Sequence, residues 1–148
     1  MDLYKDLSPS EELEFRQWAR SNWKVGEEVN EAWHPIVRDE CSKIHLEYAK
    51  SVDEHIKRIN EKVRTYMDDH WRDWVDARIY GSSDNREHII SIGTSILCTK
   101  WEVGYPGGSF AKAVASNDLM QSYGCADEVN KHCIGLYAQL LYNVAYVN

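Results

Sequence analysis

PIVRDECSKIHLEYAKSVDEHIKRINEKVRTYMDDHWRDWVDARIY, residues 35–80, is the stretch that decides the fold. Its apolar positions, Val37, Cys41, Ile44, Tyr48, Val52, Ile56, Ile59, Val63, Met67, Trp71 and Trp74, follow one another at steps of three or four. That period puts them on one face of an α-helix. No glycine interrupts the run, and its single proline stands first, where the missing N–H has no bond to lose. The spacing predicts one long central helix over about 35–80. At ~1.5 Å per residue it would reach roughly 65 Å or more, whereas a compact domain of this size has a radius of gyration of about 15 Å. Either the helix breaks at Ser51-Val52-Asp53-Glu54, which has the capping-box pattern, or its apolar stripe is covered by another copy of the chain. The cost of an exposed stripe favours a homo-oligomer.

On the N-terminal side, Ser8-Pro9-Ser10-Glu11 is a helix-start signal: a capping serine, proline in the first turn, and a glutamate that reaches back. Leu13, Phe15, Trp18 and Ala19 continue a helix to about Asn22, and Trp23-Lys24-Val25-Gly26 reads as a turn. On the C-terminal side, Gly81-Ser82-Ser83-Asp84-Asn85 reads as a loop. A helix follows from about Arg86 through Ile89, Ile92, Ile96 and Leu97 to Trp101. Gly104-Tyr105-Pro106-Gly107-Gly108 is a second break, after which helices are expected over 109–123 and 126–144, separated at Gly124. The last is the most apolar, with Val129, Cys133, Ile134, Tyr137, Leu140, Leu141 and Val144. The fold class is therefore all-α: an elongated helical hairpin or bundle with a C-terminal three-helix portion. The chain reads as a single helical domain, 1–148, with N-terminal helices over 1–80 and a C-terminal module over 86–148.

A net charge of −7 over 148 residues is a poor footprint for phosphates, so nucleic acid is not the expected partner. Mimicry of DNA is disfavoured too, because the acids are interleaved with Lys and Arg. No run approaches the ~20 apolar residues of a membrane span, and the first residues lack the basic start and apolar run of an export signal. The expectation is a cytoplasmic protein whose four cysteines, Cys41, Cys98, Cys125 and Cys133, are free thiols.

Chemistry concentrates at the glycine-rich turn. Pro106-Gly107-Gly108-Ser109-Phe110 runs into a helix whose free N–H groups and dipole suit a phosphate or carboxylate. It is not a Walker loop, since it lacks the Gly-Lys-Ser/Thr ending and a preceding strand. Asn117, Asp118, Asp127 and Asn130 stand nearby in sequence, either as a polar pocket or as a hydrogen-bonded clamp between helices. Lys112 and Arg38 would supply positive charge, and Trp33 and His34 complete the candidate ligand-binding set. His34, Cys41 and His45 share a helix face at a spacing that suits zinc, but no fourth donor is supplied locally. No metal or cofactor is expected, and His34 is read as a helix cap. No nucleophile, zinc-protease or kinase motif occurs.

Two segments resemble small accessory proteins of tailed bacteriophages. Phe15-Arg16-Gln17-Trp18-Ala19-Arg20, then Trp33-His34-Pro35 and Val37-Arg38-Asp39-Glu40-Cys41, is similar to one recurrent phage module. Pro106-Gly107-Gly108-Ser109-Phe110, then Asn117-Asp118-Leu119, Ala126-Asp127 and Asn130, is similar to another. That second module usually carries an arginine where this chain has Cys125, and commonly continues beyond the last helix. The resemblance implies a phage origin and the host-cell cytoplasm, without implying an activity. The expected function is non-catalytic: binding of a small anionic or nucleotide-derived ligand, in an anti-defence role. The alternatives are a protein-interaction module that inhibits a host protein or belongs to the virion, and an unrecognised hydrolase.

Overall fold

The signal at Ser8 forms as its residues dictate. In a computed structural model that describes residues 3–148, α1 spans Pro9–Asn22 with Pro9 at its first position. Ser8 Oγ accepts the Glu11 N–H at 3.2 Å, and the Glu11 carboxylate accepts the Ser8 N–H at 3.2 Å. α2 is one uninterrupted helix, Pro35–His70, about 54 Å long; the capping-box pattern at Ser51–Glu54 does not break it. The remaining helices are α3 (Ala77–Tyr80), α4 (Ser83–Trp101), α5 (Ser109–Ala115), α6 (Leu119–Cys125) and α7 (Ile134–Asn143), with 3₁₀ turns at Trp71–Asp73 and Asn130–His132. No strand occurs among the described residues, so the fold is all-α. None of these helices is long and apolar enough to cross a membrane. The chain divides into two compact units, Met1–Ser51 and Val52–Asn148. The division falls inside α2.

In the first unit, α1 covers the opening turns of α2. Ala19, Trp23, Val37 and Cys41 form a buried cluster, with Phe15, Val25, Trp33 and Ile44 packed against it. Arginines clasp the two helices beside this core. Arg16 reaches Asp39 at 2.8 Å and Glu40 at 2.9 Å, while Arg20 reaches Glu40 at 2.6 Å and Glu47 at 2.9 Å. Glu40 is buried. Burial pushes its carboxyl up, and the Arg20 and Arg16 guanidinium groups outweigh that and hold it below its ordinary value. Asp39 and Glu47 are held low by Arg16 and Arg20 respectively.

In the second unit, Ile59, Val63 and Met67 of α2 enter a core with Ile89, Ile90, Ile96 and Leu97 of α4 and Leu136, Tyr137 and Leu140 of α7. Gly93 is the point of closest approach. A Cβ there would lie 2.9 Å from Val63 Cγ1, 3.0 Å from Met67 Cε and 3.2 Å from Leu140 Cδ2. Asp68 ties the periphery together, accepting from Tyr80 Oη at 2.6 Å and from Arg86 at 2.7 and 3.0 Å. The last residues lie along α2 and α4: His55 hydrogen-bonds the Val147 carbonyl, Arg58 donates to the Asn148 carbonyl at 2.7 Å, and Tyr146 meets Trp101 edge-on.

Several expectations are corrected. Most of the α2 stripe is covered from within the chain, by α1 along 37–44 and by the α4–α7 core along 56–71, while Tyr48 between them is exposed. Helix 35–80 ends at His70, because the Trp71 ring leaves the helix to stack on Tyr80 at 4.8 Å. Trp74 is off the stripe; its indole covers Gly135, where a Cβ would approach to 2.8 Å. The segment 81–85 is mostly the first turn of α4, whose cap is Ser82. The helix expected over 109–123 stops at Ala115 and restarts at Leu119, and Gly124 lies inside α6. Asn117 is the cause. It takes the left-handed conformation (φ 61°), its N–H reaches the Val114 carbonyl, and the Asp118 N–H reaches that of Ala113, a Schellman stop with asparagine in the glycine position. The cysteines are free, as expected, with Cys41, Cys98 and Cys133 buried.

Two outcomes are expected. Gly93→Ala forces α2 and α7 away from α4 and lowers stability by about 1–3 kcal/mol, measurable by urea unfolding; an unchanged midpoint would contradict the close approach. Carboxylates held low in the fold contribute stability that is complete above their ordinary range and is lost as pH falls through the lowered values. The melting temperature therefore drops below pH 4.5, the ordinary glutamate value, and Glu40→Gln makes that drop shallower. An identical pH profile in the variant would remove Glu40 from the acid response.

Candidate functional site

The candidate residues divide between the two units. In the second unit, the glycine-rich turn is a packing device. Gly107 N–H donates to Thr99 Oγ1 at 2.8 Å. A Cβ on Gly107 would fall 2.3 Å from Ser95 Oγ and 2.7 Å from Ala111 Cβ. Only a glycine lets the turn sit this close to α4. Gly108, in contrast, is the N-cap of α5 in ordinary extended conformation (φ −70°, ψ −172°), and a Cβ there would meet nothing within 4 Å. Ser109 is the first residue of the helix and is exposed. α5 has seven residues, too short for a full macrodipole to develop behind an anion.

The polar residues beyond it have separate structural tasks. Asn117 is not on a helix face but in the exposed turn that ends α5. Asp118 caps α6, accepting the Gln121 N–H at 3.0 Å. Asp127 accepts the Asn130 N–H at 2.7 Å and pairs with His88 at 2.8 Å. Burial pushes Asp127 up, and its hydrogen bonds from Asn130 and His88 hold it below the usual carboxylate range. Asn130 is buried, and its Oδ1 accepts the Tyr137 hydroxyl at 2.8 Å. The result is a clamp joining α4, the 3₁₀ turn and α7, the structural one of the two arrangements the sequence left open. Next to it, burial and then Asp127 push the Cys133 thiol up to about 12, which keeps it protonated and unreactive.

A groove of about 290 Å³ opens beside α5, α6 and α7, with Val114, Asn117, Asp118, Leu119, Ile134, Leu141 and Tyr142 in its walls and Lys100 at its edge. The sequence pointed to Asn117 and Asp118 but missed the apolar residues around them. Its signal lies in α6, which is packed inside out: Ser122 is its buried residue, while Leu119, Met120 and Tyr123 are 63%, 87% and 56% exposed. Tyr142 of α7 is 86% exposed. Lys112, with Thr99, Lys100, Glu102 and Ser116, borders a separate shallow hollow of about 380 Å³.

In the first unit, His34 caps α2. Its Nδ1 accepts the Ile36 N–H at 3.1 Å and its Nε2 bonds the Lys5 carbonyl at 2.8 Å. Both ring nitrogens are thereby engaged, Cys41 is buried, and His45 is exposed; no cluster able to hold a metal ion occurs among the described residues. The Arg38 guanidinium lies over the Tyr4 ring, 5.9 Å from its centre, and its Nε is buried without a hydrogen bond. Trp33 and His34 border a hollow of about 550 Å³ with Glu14, Phe15, Trp18, Ala32 and Val37. Several residues of this unit thus serve its packing: Trp18 against Trp33, Phe15 against His34, Arg16 and Arg20 against Glu40.

No protein-family model matches the chain, and no curated protein or solved structure shows recognisable similarity to it.

The two glycines of the turn separate in their response to a methyl group. Gly107→Ala lowers stability by about 1–3 kcal/mol through the clash with α4. Gly108→Ala leaves it unchanged or raises it by about 0.4–1 kcal/mol, since the alanine fits and the unfolded chain loses freedom. Denaturant melts of both variants check this, and a Gly108→Ala variant that melts earlier would contradict the open geometry.

Proposed function

We propose that the protein acts by binding, not by catalysis, and that the groove beside α5, α6 and α7 receives an apolar segment of a partner protein. The observation that supports this most directly is α6, which spends its buried face on a serine and turns Leu119, Met120 and Tyr123 to solvent. A grouped apolar surface of this kind next to a groove is a common mark of an interaction site. The polar candidates carry no arrangement of nucleophile, base and orienting group, because Asp118, Asp127 and Asn130 are each engaged in capping or clamping. The likeness of the two segments to tailed-phage accessory proteins supports a partner in the infected host cell, and inhibition of that partner as the role.

A second reading, binding of a small anionic or nucleotide-derived ligand, draws on Lys100 and Lys112 around the shallow hollow. Glu102 in the same wall opposes an anion there, and for that reason the protein-partner reading stands first.

Leu119→Lys and Met120→Lys separate the two. Both residues are exposed, so folding should change by less than about 0.5 kcal/mol. Binding to a host protein captured by the wild type and then purified should weaken by more than about tenfold, measured by calorimetry, as expected for loss of a hot-spot contact. Unchanged affinity in both variants would exclude the groove. Thermal stabilisation by nucleotides that Lys112→Ala abolishes would put the anionic reading in front.

A further inference from the structure

The hollow bordered by Trp18 and Trp33 in the first unit has a chemistry opposite to that of an anion site. Trp18 is 45% exposed, a large share for an indole in a helix that has a core beside it. It meets Trp33 edge-to-face, with ring centres 5.5 Å apart and planes at 79°, so two indoles form walls near a right angle. Phe15 and Val37 supply further apolar lining. Glu14 borders the hollow one turn before Trp18, and forms no ion pair among the described residues. Trp33 also borders a second hollow of about 550 Å³, whose other lining residues are Glu28, Val29, Asn30 and Glu31. Glu14 is therefore the carboxylate of the Trp18–Trp33 hollow, Glu28 and Glu31 border the neighbouring one on Trp33, and no lysine or arginine lines either hollow. The His34 ring in the same hollow has both nitrogens engaged, Nδ1 by the Ile36 N–H and Nε2 by the Lys5 carbonyl.

From this geometry we infer that the Trp18–Trp33 hollow is a subsite for an arginine side chain presented by a partner protein. A guanidinium is planar, weakly hydrated and always charged; it stacks on an indole face and donates in a fork to a carboxylate. Its aliphatic stem would cover the apolar lining at Phe15 and Val37. A lysine ammonium matches the charge but is more strongly hydrated and has no face to stack. A phosphate or carboxylate would meet the like charge of Glu14 in the hollow. This subsite lies on different residues from the groove beside α6, and does not depend on what the groove binds.

The test uses the full chain and capped single residues, N-acetyl-arginine amide and its neutral near-isostere N-acetyl-citrulline amide. The indole N–H resonances of Trp18 and Trp33 are followed in ¹H–¹⁵N spectra. The arginine probe should shift both resonances saturably, the citrulline probe should bind at least about fivefold more weakly, and added salt should weaken the arginine response. Glu14→Gln, an exposed change that leaves the fold intact, should weaken arginine binding severalfold, and Trp33→Phe should do so while keeping an apolar wall. Absence of a saturable shift overturns the proposal, as does an equal response to citrulline or full retention of binding in both variants. An N-acetyl-lysine amide (free ε-amine) that binds as tightly as the arginine probe overturns the assignment to arginine.

Discussion

Burying the apolar stripe of α2 is the constraint on which the remaining structure depends. A helix of 36 residues carries an apolar face longer than any other helix in the chain can cover. The stripe is divided instead: α1 closes over Val37 and Cys41, and α4 with α7 closes over Ile59, Val63 and Met67. Each cover brings its own polar fastening. Beside the first lie Arg16 and Arg20 on the buried Glu40, and beside the second lie Tyr80 and Arg86 on Asp68. Glu40 shows why the fastening matters. A carboxylate out of water is costly unless it is paired and hydrogen-bonded, and the two arginines supply that pairing.

Small residues set how closely the covers approach. Gly93 lets three helices meet, Gly107 seats the turn before α5 on α4, and Gly135 leaves room for the Trp74 indole. The contacts of Gly107 account for one member of a glycine pair that in sequence resembles a phosphate cradle. The distinction between the pair's members is steric. One glycine faces Ser95, Thr99 and Ala111, and the other faces open space.

The exposed surfaces differ in chemistry between the units. Leu119, Met120 and Tyr142 make the α6 region apolar, whereas Glu14 shares the hollow of Trp18 and Trp33, and Glu28 and Glu31 border the one beside Trp33. An apolar surface contributes affinity by area removed from water. An aromatic surface with a carboxylate beside it selects by charge and shape.

Local patterns carried the all-α class, a long central helix, the start of α1 at Ser8 and the cap at His34, because each rests on interactions within one or two turns of chain; whether that helix ran through Ser51 the sequence left open. Features that need a contact distant in sequence were not legible. The end of α2 depends on Trp71 finding Tyr80, nine residues on. Whether Asn130 lined a pocket or a clamp depended on Tyr137 and on Asp127 reaching His88. The stop at Asn117 is an intermediate case: Asn-Asp is a local helix-stop and helix-start pair, but the apolar pattern around it masked the signal. The covering of the α2 stripe and the outward face of α6 lie furthest from what a single strand of sequence specifies. Burial is a property of what packs against a residue, and that is settled only when helices far apart in the chain compete for the same apolar surface.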